Sequence, residues 1–373
     1  MLPGLTVPPS LAVLLQACRS CFSARSFPLF TLLAVGMIAQ SGPCTVTGIL
    51  LGSGLSTVIT HDRAHRFFNA AHWSADQLGL AVARMIVEQL TAPGAALTLA
   101  IDDTLFKRRG KKVHGAFWSH DASQLGHVTA RGNRWVIAAL VVDLPFLPRP
   151  VALPVLLRLW AGKGTPSHVE LARTLIGLLA RAFPEHTIHV ACDAAYHGKA
   201  FRDLPERVTV TTRLPRNAVL YAYAPAPTGK RGRPALKGER LGTQAQAAAQ
   251  APWRTATVRR YGRDDQIEIT ERECLWYGAF HARRGRLIAA RETRGGKLVH
   301  LMLFTTDLDS GAEEIIARYA ARWSIEVAIE TAKGPMGVGQ ARNRVNAAVE
   351  RTVPFGMLVM SIVYLWYAQY GHH

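Results

Sequence analysis

Apolar residues in the first part of the chain recur at the spacing of amphipathic helices. Segment 61–90 shows this spacing most clearly, and Ser74 stands where its side-chain oxygen could cap a helix that ends near Leu90. A helix of this kind buries one stripe of side chains and leaves the opposite face polar. We therefore predict that residues 1–95 form a mainly helical region.

The pattern changes after residue 96 to short apolar runs rich in β-branched residues. We predict strands in these runs and, between them, a helix over 168–183 that Pro184 ends. A short helix is predicted over 201–206. The predicted strands are 97–101, 115–119, 135–142, 151–160, 187–192 and 208–214. Consecutive strands followed by a helix, a strand, a helix and a strand are the order of an RNase H-like core, an α/β fold whose mixed sheet is flanked by helices.

The next region interrupts this order. Residues 215–305 contain short strand-like runs around a basic, turn-forming loop at 229–234, which predicts a β-rich basic insertion. A long helix should then begin at Ser310, where Glu313 completes a capping box, and run to Lys333. The predicted organisation is a helical region, the first part of the core, the insertion, the helix that completes the core and a C-terminal helix: 1–95, 96–214, 215–305, 306–343 and 344–373.

Charge adds a class of partner to this picture. The formal net charge is +18, and residues 201–300 alone hold 20 Lys and Arg against nine Asp and Glu. A clustered positive excess indicates a surface that attracts a polyanion. The apolar run 353–370 is nearly long enough to cross a bilayer, but Pro354 and Ser361 interrupt it, so we predict a buried helix, no membrane partner and a cytoplasmic location.

The most informative polar pattern lies on the predicted long helix. Tyr319, Arg322, Glu326 and Lys333 are separated by three, four and seven residues, which places them within roughly 60° of one helix face. A face that combines a phenol, a guanidinium, a carboxylate and an ammonium is costly to bury without a purpose. The alternative is a solvated face with ion pairs such as Arg322 with Glu326.

These four residues resemble a known signature. Tyr-x2-Arg-x3-Glu-x6-Lys marks the C-terminal part of a large group of DDE insertion-sequence transposases, and residues 319–333 match it without a gap. Two acids at predicted strand ends extend the resemblance. Asp103 directly precedes Thr104, as in the first aspartate motif of the group, and Asp193 is followed by an aromatic residue, as in the second.

The resemblance implies an RNase H-like fold and a metal site. Asp103, Asp193 and Glu326 would hold two Mg²⁺ or Mn²⁺ ions, because these hard cations prefer oxygen ligands. Two such ions can serve an in-line phosphoryl displacement. Asp102 stays open as the alternative first acid, since neighbouring strand residues point to opposite faces, and Glu330 stays open as the alternative to Glu326.

The resemblance also implies which residues bind DNA. Tyr319, Arg322 and Lys333 would contact phosphates near the cut. Arg231 and Arg233 belong to an Arg-Gly-Arg-Pro run that is similar to the core of an AT-hook, which enters a narrow A·T minor groove; a solvated basic loop is the alternative.

A second basic run lies directly after the first acids. It comprises five cations within residues 107–112 and would either hold substrate DNA beside the metals or form an exposed hairpin. Together these features predict a transposase that cuts and joins the ends of its element and a target DNA, as a homodimer on DNA and without a nucleotide cofactor. The alternatives are an endonuclease that does not join strands and a domesticated, non-catalytic DNA-binding protein.

Overall fold

The computed structural model describes residues 7–121, 124, 126–162, 166–226, 234–294 and 297–371. Its helices are α1 (Pro9–Ala17), α2 (Phe27–Ala39), α3 (Val46–Gly52), α4 (His61–Asn69), α5 (Ala75–Leu90), α6 (His168–Ala182), α7 (Gln244–Ala249), α8 (Tyr277–Phe280), α9 (Ala312–Ala321), α10 (Ser324–Lys333) and α11 (Asn346–Trp366). Its strands are β1 (Leu97–Lys107), β2 (Phe117–His120), β3 (Thr129–Val142), β4 (Val151–Trp160), β5 (Ile188–Cys192), β6 (Val208–Arg213), β7 (Val219–Tyr221), β8 (Arg240–Thr243), β9 (Arg254–Arg260), β10 (Arg263–Cys274), β11 (Gly285–Arg294) and β12 (Lys297–Thr305).

The centre of the molecule is a mixed sheet with the order β4-β3-β1-β5-β6. Strand β3 is antiparallel to β1 and β4, whereas β5 is parallel to both β1 and β6. The crossover from β4 to β5 carries α6, which packs on β3 and β4. Three antiparallel strands followed by two parallel ones confirm the predicted RNase H-like α/β fold.

Four strands of the predicted insertion continue this sheet, whereas β7 and β8 pair with each other in a separate two-stranded sheet. Strand β12 pairs antiparallel with β6, and β11, β10 and β9 follow in antiparallel order. A second hydrophobic cluster lies where α9 packs on this extension, with Ile315 and Ile316 buried against Val258, Ile267 and Ile288. The β-rich region is therefore joined to the central sheet edge to edge.

The N-terminal helices share the main hydrophobic core with the sheet. Helix α5 begins at Ala75, and the Ser74 hydroxyl accepts a hydrogen bond from the Gln77 N–H, as the sequence predicted. Phe355 of α11 lies between rings from α2 and α4, at 6.2 Å from Phe30 and 5.3 Å from Phe68 between ring centroids. These contacts hold the beginning and the end of the chain in one packed layer.

Among the described residues, one helix is long and apolar enough to cross a membrane, and it contains α11. The tested helix runs from Asn346 to Gly371, and 72% of its most apolar window is buried within the protein. The Ser361 hydroxyl donates to the Pro154 carbonyl of β4 at 2.7 Å, so a polar group in its middle is satisfied by the sheet. This burial agrees with the predicted core helix.

Candidate functional site

The pairing of β1 with β5 sets two carboxylates side by side. The strands are parallel, and Ile101 lies opposite Cys192. The next residue on each strand is an aspartate, Asp102 on β1 and Asp193 after β5. Neighbouring strands lie about 4.8 Å apart, so these two residues lie at the same level of the sheet.

The side chains of Asp102 and Asp103 lie on opposite sides of β1. The sequence had favoured Asp103 as the first acid. Asp103 points to the other side of β1, where its carboxylate accepts from Arg134 at 2.7 Å and from the Tyr196 hydroxyl at 3.0 Å. Asp102 instead accepts from Arg322 at 2.9 Å. The alternation of side chains along an extended strand is the reason. The geometry thus favours Asp102, the alternative left open by the sequence, over Asp103 as the first candidate acid.

Arg322 joins the two chain-distant parts of the site. One terminal nitrogen of its guanidinium donates to Asp102, and the other donates to Glu326 Oε1 at 3.3 Å. The residue is only 8% exposed, and among the described residues its Nε has no hydrogen-bond partner. A single buried guanidinium therefore lies between the acid of β1 and the acid of α10.

The long helix predicted from Ser310 to Lys333 is divided at this arginine. Helix α9 ends at Ala321 and α10 begins at Ser324. Between them the backbone bonds shorten by one residue: the Arg322 N–H donates to the Tyr319 carbonyl and the Glu326 N–H to the Trp323 carbonyl. The Ser324 hydroxyl donates back to the Ala321 carbonyl at 2.7 Å, a contact that bends helices.

The start of this helix also differs from the prediction. Gly311 precedes the first helical residue without a side-chain cap. The Ser310 N–H is taken by the Asp307 carboxylate at 3.1 Å, so the predicted capping box of Ser310 with Glu313 does not form. Glu313 instead pairs with Arg254 of the sheet extension.

The electrostatics of the site show negative charge with too little compensation. Burial raises the pKa of Asp102 to about 7, against the lowering influence of Arg322, and Asp193 adds to the increase. Burial also raises the pKa of Glu326, with a further increase from Asp193. Arg322 thus donates to two of the three carboxylates, while Asp193 raises the pKa of both, and an additional cation would be favoured there.

The other predicted phosphate contacts lie at the border of this acid group. The Arg322 guanidinium stands 5.6 Å from the centre of the Tyr319 ring, and burial raises the pKa of Tyr319 to about 12. The Lys333 ammonium donates to Thr104 Oγ1 at 2.6 Å and lies 5.3 Å from the Phe106 ring centre. Burial lowers the pKa of Lys333. Tyr319 and Glu326 thus each lie beside Arg322, whereas Lys333, at the end of α10, contacts β1 at Thr104 and Phe106.

Two predicted elements of the site do not join it. Glu330 is exposed on α10, and its side chain makes no contact with the candidate acids among the described residues, which favours Glu326. Arg231 and Arg233, with their AT-hook-like run, lie outside the described residues.

The sequence did not indicate the role of Arg134. This β3 residue binds Asp103 and, through its other terminal nitrogen, Ser119 at 3.5 Å. Asp103 in turn fixes Tyr196, three residues after Asp193. Nothing in the residues around position 134 marks this pairing, because it depends on the register of β3 with β1, where Asp103 lies opposite Val136.

The side chains of the site have the chemistry to bind a divalent cation, although the Arg322 guanidinium already lies between two of the acids. No three His, Cys, Asp or Glu side chains in the described ranges stand close enough to hold an ion as they are arranged. The donors nevertheless comprise oxygen atoms of three carboxylates, two of which already bind a positive group. Hard oxygen ligands of this kind suit Mg²⁺ and Mn²⁺.

Comparison with known proteins gives a family match. A search of curated proteins gives no match to the chain. The profile of a family described as "DDE superfamily endonuclease" matches residues 19–278. The match includes most of the N-terminal helical region, both aspartates and much of the sheet extension, and it ends before α10. It covers well over half of the chain, and DDE enzymes generally use divalent metal ions and act on nucleic acid. The chain therefore belongs to the DDE superfamily of endonucleases.

Proposed function

We propose that the protein is the transposase of an insertion sequence, which cleaves DNA at the ends of its element and joins them to a target. The observation that carries the proposal is the contact of Arg322 with both Asp102 of β1 and Glu326 of α10, beside Asp193 at the end of the neighbouring strand. The Tyr-x2-Arg-x3-Glu-x6-Lys pattern supports transposition in particular, since it resembles the signature of insertion-sequence transposases.

We propose that the same three carboxylates hold two divalent cations. Bound there, such ions would supply positive charge to the attacking and leaving oxygens of a phosphoryl transfer. The chain itself contributes position: the β1–β5 register sets Asp102 beside Asp193, and Arg322, at the bend between α9 and α10, holds Glu326 on the side of Asp102. Arg322 keeps Asp102 and Glu326 together when no cation is bound, because its guanidinium donates to both.

Lys333 and Tyr319 would orient DNA beside the acids. The Lys333 ammonium has three donors, and Thr104 accepts one of them, so two remain for phosphate oxygens. Arg322 differs from the expectation of a phosphate ligand, since both of its terminal nitrogens are bound to carboxylates. It can reach phosphate only when cations replace it between the acids.

The test is cleavage and joining of labelled DNA that carries an end of the element, with Mg²⁺ or Mn²⁺. We expect nicking that frees a 3′-hydroxyl, followed by strand-transfer products. Glu326→Gln should abolish both reactions, and Glu330→Gln, a matched change one helical turn away on the exposed face, should leave them intact.

The outcomes separate the functions considered. An endonuclease that does not transpose would cleave the intact DNA. It would form no joined products, even when a pre-cut element end is supplied. Binding without any metal-dependent cleavage by the wild-type protein would identify a non-catalytic DNA-binding protein. Equal activity of Glu326→Gln and the wild type would reject the three-acid site.

A further inference from the structure

Two loops that are distant in the sequence meet at the far end of β1. Loop 107–116 follows β1, and loop 337–346 follows α10. The His114 N–H donates to the Arg344 carbonyl at 2.9 Å, which joins the loops directly. The side chains exposed on them include five cations, and we call these the two-loop surface: Arg109, Lys111, Lys112, Arg342 and Arg344.

Two arginines, one buried and one partly exposed, hold the backbone of this surface in place. Arg108 is 8% exposed and donates to Asn133 Oδ1 at 2.9 Å, to the Gly339 carbonyl at 2.9 Å and to the Ala341 carbonyl. Arg131 donates to the carbonyls of Gly110, Lys111 and Ala116. These guanidinium groups are used for structure, and their bonds fix the loops from which the exposed cations extend.

The second loop is anchored in the same way. Asn343 lies between Arg342 and Arg344, and its amide nitrogen donates to the Ala348 carbonyl at 3.2 Å and to the Thr352 hydroxyl of α11. Gly339 packs so closely that a Cβ atom there would lie 2.3 Å from the Phe106 ring. A rigid backbone reduces the conformational entropy that would be lost when a ligand binds.

The positive charge of the two-loop surface is not neutralised by the protein. In the described part of the chain, none of its five cations forms an ion pair with a carboxylate, in contrast to Lys107, which pairs with Asp121 at 2.7 Å. The acid that borders the surface is Glu350, whose carboxylate is 3.9 Å from His114. Exposed cations held without counter-charges attract a polyanion.

Strand β1 connects the candidate site to the two-loop surface. Strand β1 runs from Asp102 past Thr104, which binds Lys333, to Lys107 and then into loop 107–116. At about 3.3 Å per residue, the five steps of β1 from Asp102 to Lys107 place the start of the loop about 16 Å from Asp102. This corresponds to about five base-pair steps of duplex DNA at ~3.4 Å each.

We propose that the two-loop surface binds the phosphate backbone of duplex DNA that flanks the reacting phosphate, from about five base pairs away. The inference rests on the proposed function, because it assumes that DNA enters the three-acid site. The surface contacts backbone only, so it sets the position of the duplex and adds affinity without reading sequence. Arginine and lysine on two fixed loops suit such contacts.

The test measures binding of a fluorescein-labelled 30-base-pair duplex by fluorescence anisotropy at several salt concentrations. Lys111→Ala/Lys112→Ala and Arg342→Ala/Arg344→Ala each remove two exposed charges from one loop. Each should weaken binding about tenfold or more, and each should reduce the slope of log K against log salt by about 0.9 per lost phosphate contact.

The matched control removes two exposed charges elsewhere, in Arg25→Ala/Arg181→Ala. Arg181 lies at the end of α6, near the start of β5 and hence at the opposite end of the sheet, and Arg25 precedes α2. The control should bind the duplex with nearly the wild-type slope. If it weakens binding as much as the loop variants, the effect is one of net charge and the proposal is wrong.

Two further outcomes reject the proposal. Loop variants that bind DNA like the wild type show that the surface does not contact DNA. Loop variants that change only the self-association of the protein, measured by sedimentation, show that the surface binds a second protein chain. Failure of the proposed function is distinct: the wild-type protein would then bind no DNA, or would bind it without metal-dependent cleavage.

The position of the contact can be tested once the cleavage site is mapped. Shortening the duplex to four base pairs on the flank that reaches the loops should slow the wild-type reaction at subsaturating enzyme. The same shortening should have little further effect on Lys111→Ala/Lys112→Ala. An equal loss in both proteins would contradict contact at this distance.

Discussion

Two arginines on successive turns of the same bent helix each bind an aspartate, with opposite effects on the pKa of that aspartate. Arg318 binds Asp307, which is also held by the N–H groups of Asp309 and Ser310, and these bonds lower the pKa of Asp307 to about 2 even though burial opposes them. Arg322 binds Asp102, whose pKa burial raises to about 7.

The difference lies in what else surrounds each carboxylate. Asp307 is 2% exposed and has enough donors to be stable as an anion. Asp102 has one arginine, the N–H of Asp103 and two further acids close by, Asp103 and Asp193. The first cluster is a completed structural ion pair that holds α9 to the sheet, whereas the second has an excess of negative charge. A site of this second kind is suited to bind a cation.

The largest difference between the two clusters is expected in the rate of metal-dependent DNA cleavage. Asp102→Asn, Asp193→Asn and Glu326→Gln should each lower the rate of metal-dependent DNA cleavage by about 10³-fold or more, because each removes a ligand from the reacting centre. Asp307→Asn should keep the rate within about tenfold wherever the protein remains folded. Single-turnover rates on labelled DNA measure both effects. A cleavage rate of Asp102→Asn within tenfold of the wild type would remove Asp102 from the site.

For the free energy of unfolding, we expect Asp307→Asn to have a larger effect than Asp102→Asn. Asp307→Asn leaves the buried Arg318 guanidinium without its carboxylate, which should lower the free energy of unfolding by about 3 kcal/mol. Asp102→Asn should lower it by less, about 1 kcal/mol or under without metal, because Arg322 keeps Glu326 as a carboxylate partner and the substitution removes a carboxylate whose pKa is raised by burial. Urea unfolding in the presence of EDTA measures this. Equal destabilisation by both substitutions would show that the two clusters do not differ as described.

A smaller effect should appear in the dependence of stability on pH. His189 lies 3.5 Å from Asp307, yet burial and Arg318 lower the pKa of His189 to about 4, so it is neutral and the contact is not an ion pair. The unfolded chain takes up this proton near pH 6.5, whereas the folded protein does not until near pH 4. The free energy of unfolding should therefore fall by about 2 kcal/mol between pH 7 and pH 5 from this residue.

The control for this dependence is His189→Gln, which keeps a polar group beside Thr209 but does not titrate in this range. The difference in unfolding free energy between wild type and variant should change with pH over that interval. A constant difference would mean that His189 is as easily protonated in the folded protein as in the unfolded chain.

Much of the fold could be predicted because it depends on local pattern. Ser74 caps α5, and the runs at 151–160 and 188–192 form strands close to their predicted bounds. The short helix predicted over 201–206 was wrong, since a 3₁₀ turn at Lys199–Phe201 takes its place. Strand β1 continues to Lys107, six residues beyond the predicted end, because its long pairing with β3 is a non-local interaction.

The details of the candidate site depend on contacts that a sequence pattern does not contain. The choice between Asp102 and Asp103 follows from the register of β1 with β5, which places Ile101 opposite Cys192. The bend before Glu326 follows from the Ser324 hydroxyl and the shortened backbone bonds around it. Arg322 was predicted to bind phosphate because the family pattern assigns it to DNA, but its two carboxylate partners come from other parts of the chain or the next turn.

The most direct test of the account compares two adjacent residues in a calorimetric titration with Mn²⁺ at pH 8, without DNA. Asp102→Asn should reduce the affinity at least tenfold, whereas Asp103→Asn should bind Mn²⁺ like the wild type, because its carboxylate faces Arg134 and Tyr196. Loss of Mn²⁺ binding in Asp103→Asn with normal binding in Asp102→Asn would contradict the arrangement of the three acids described above.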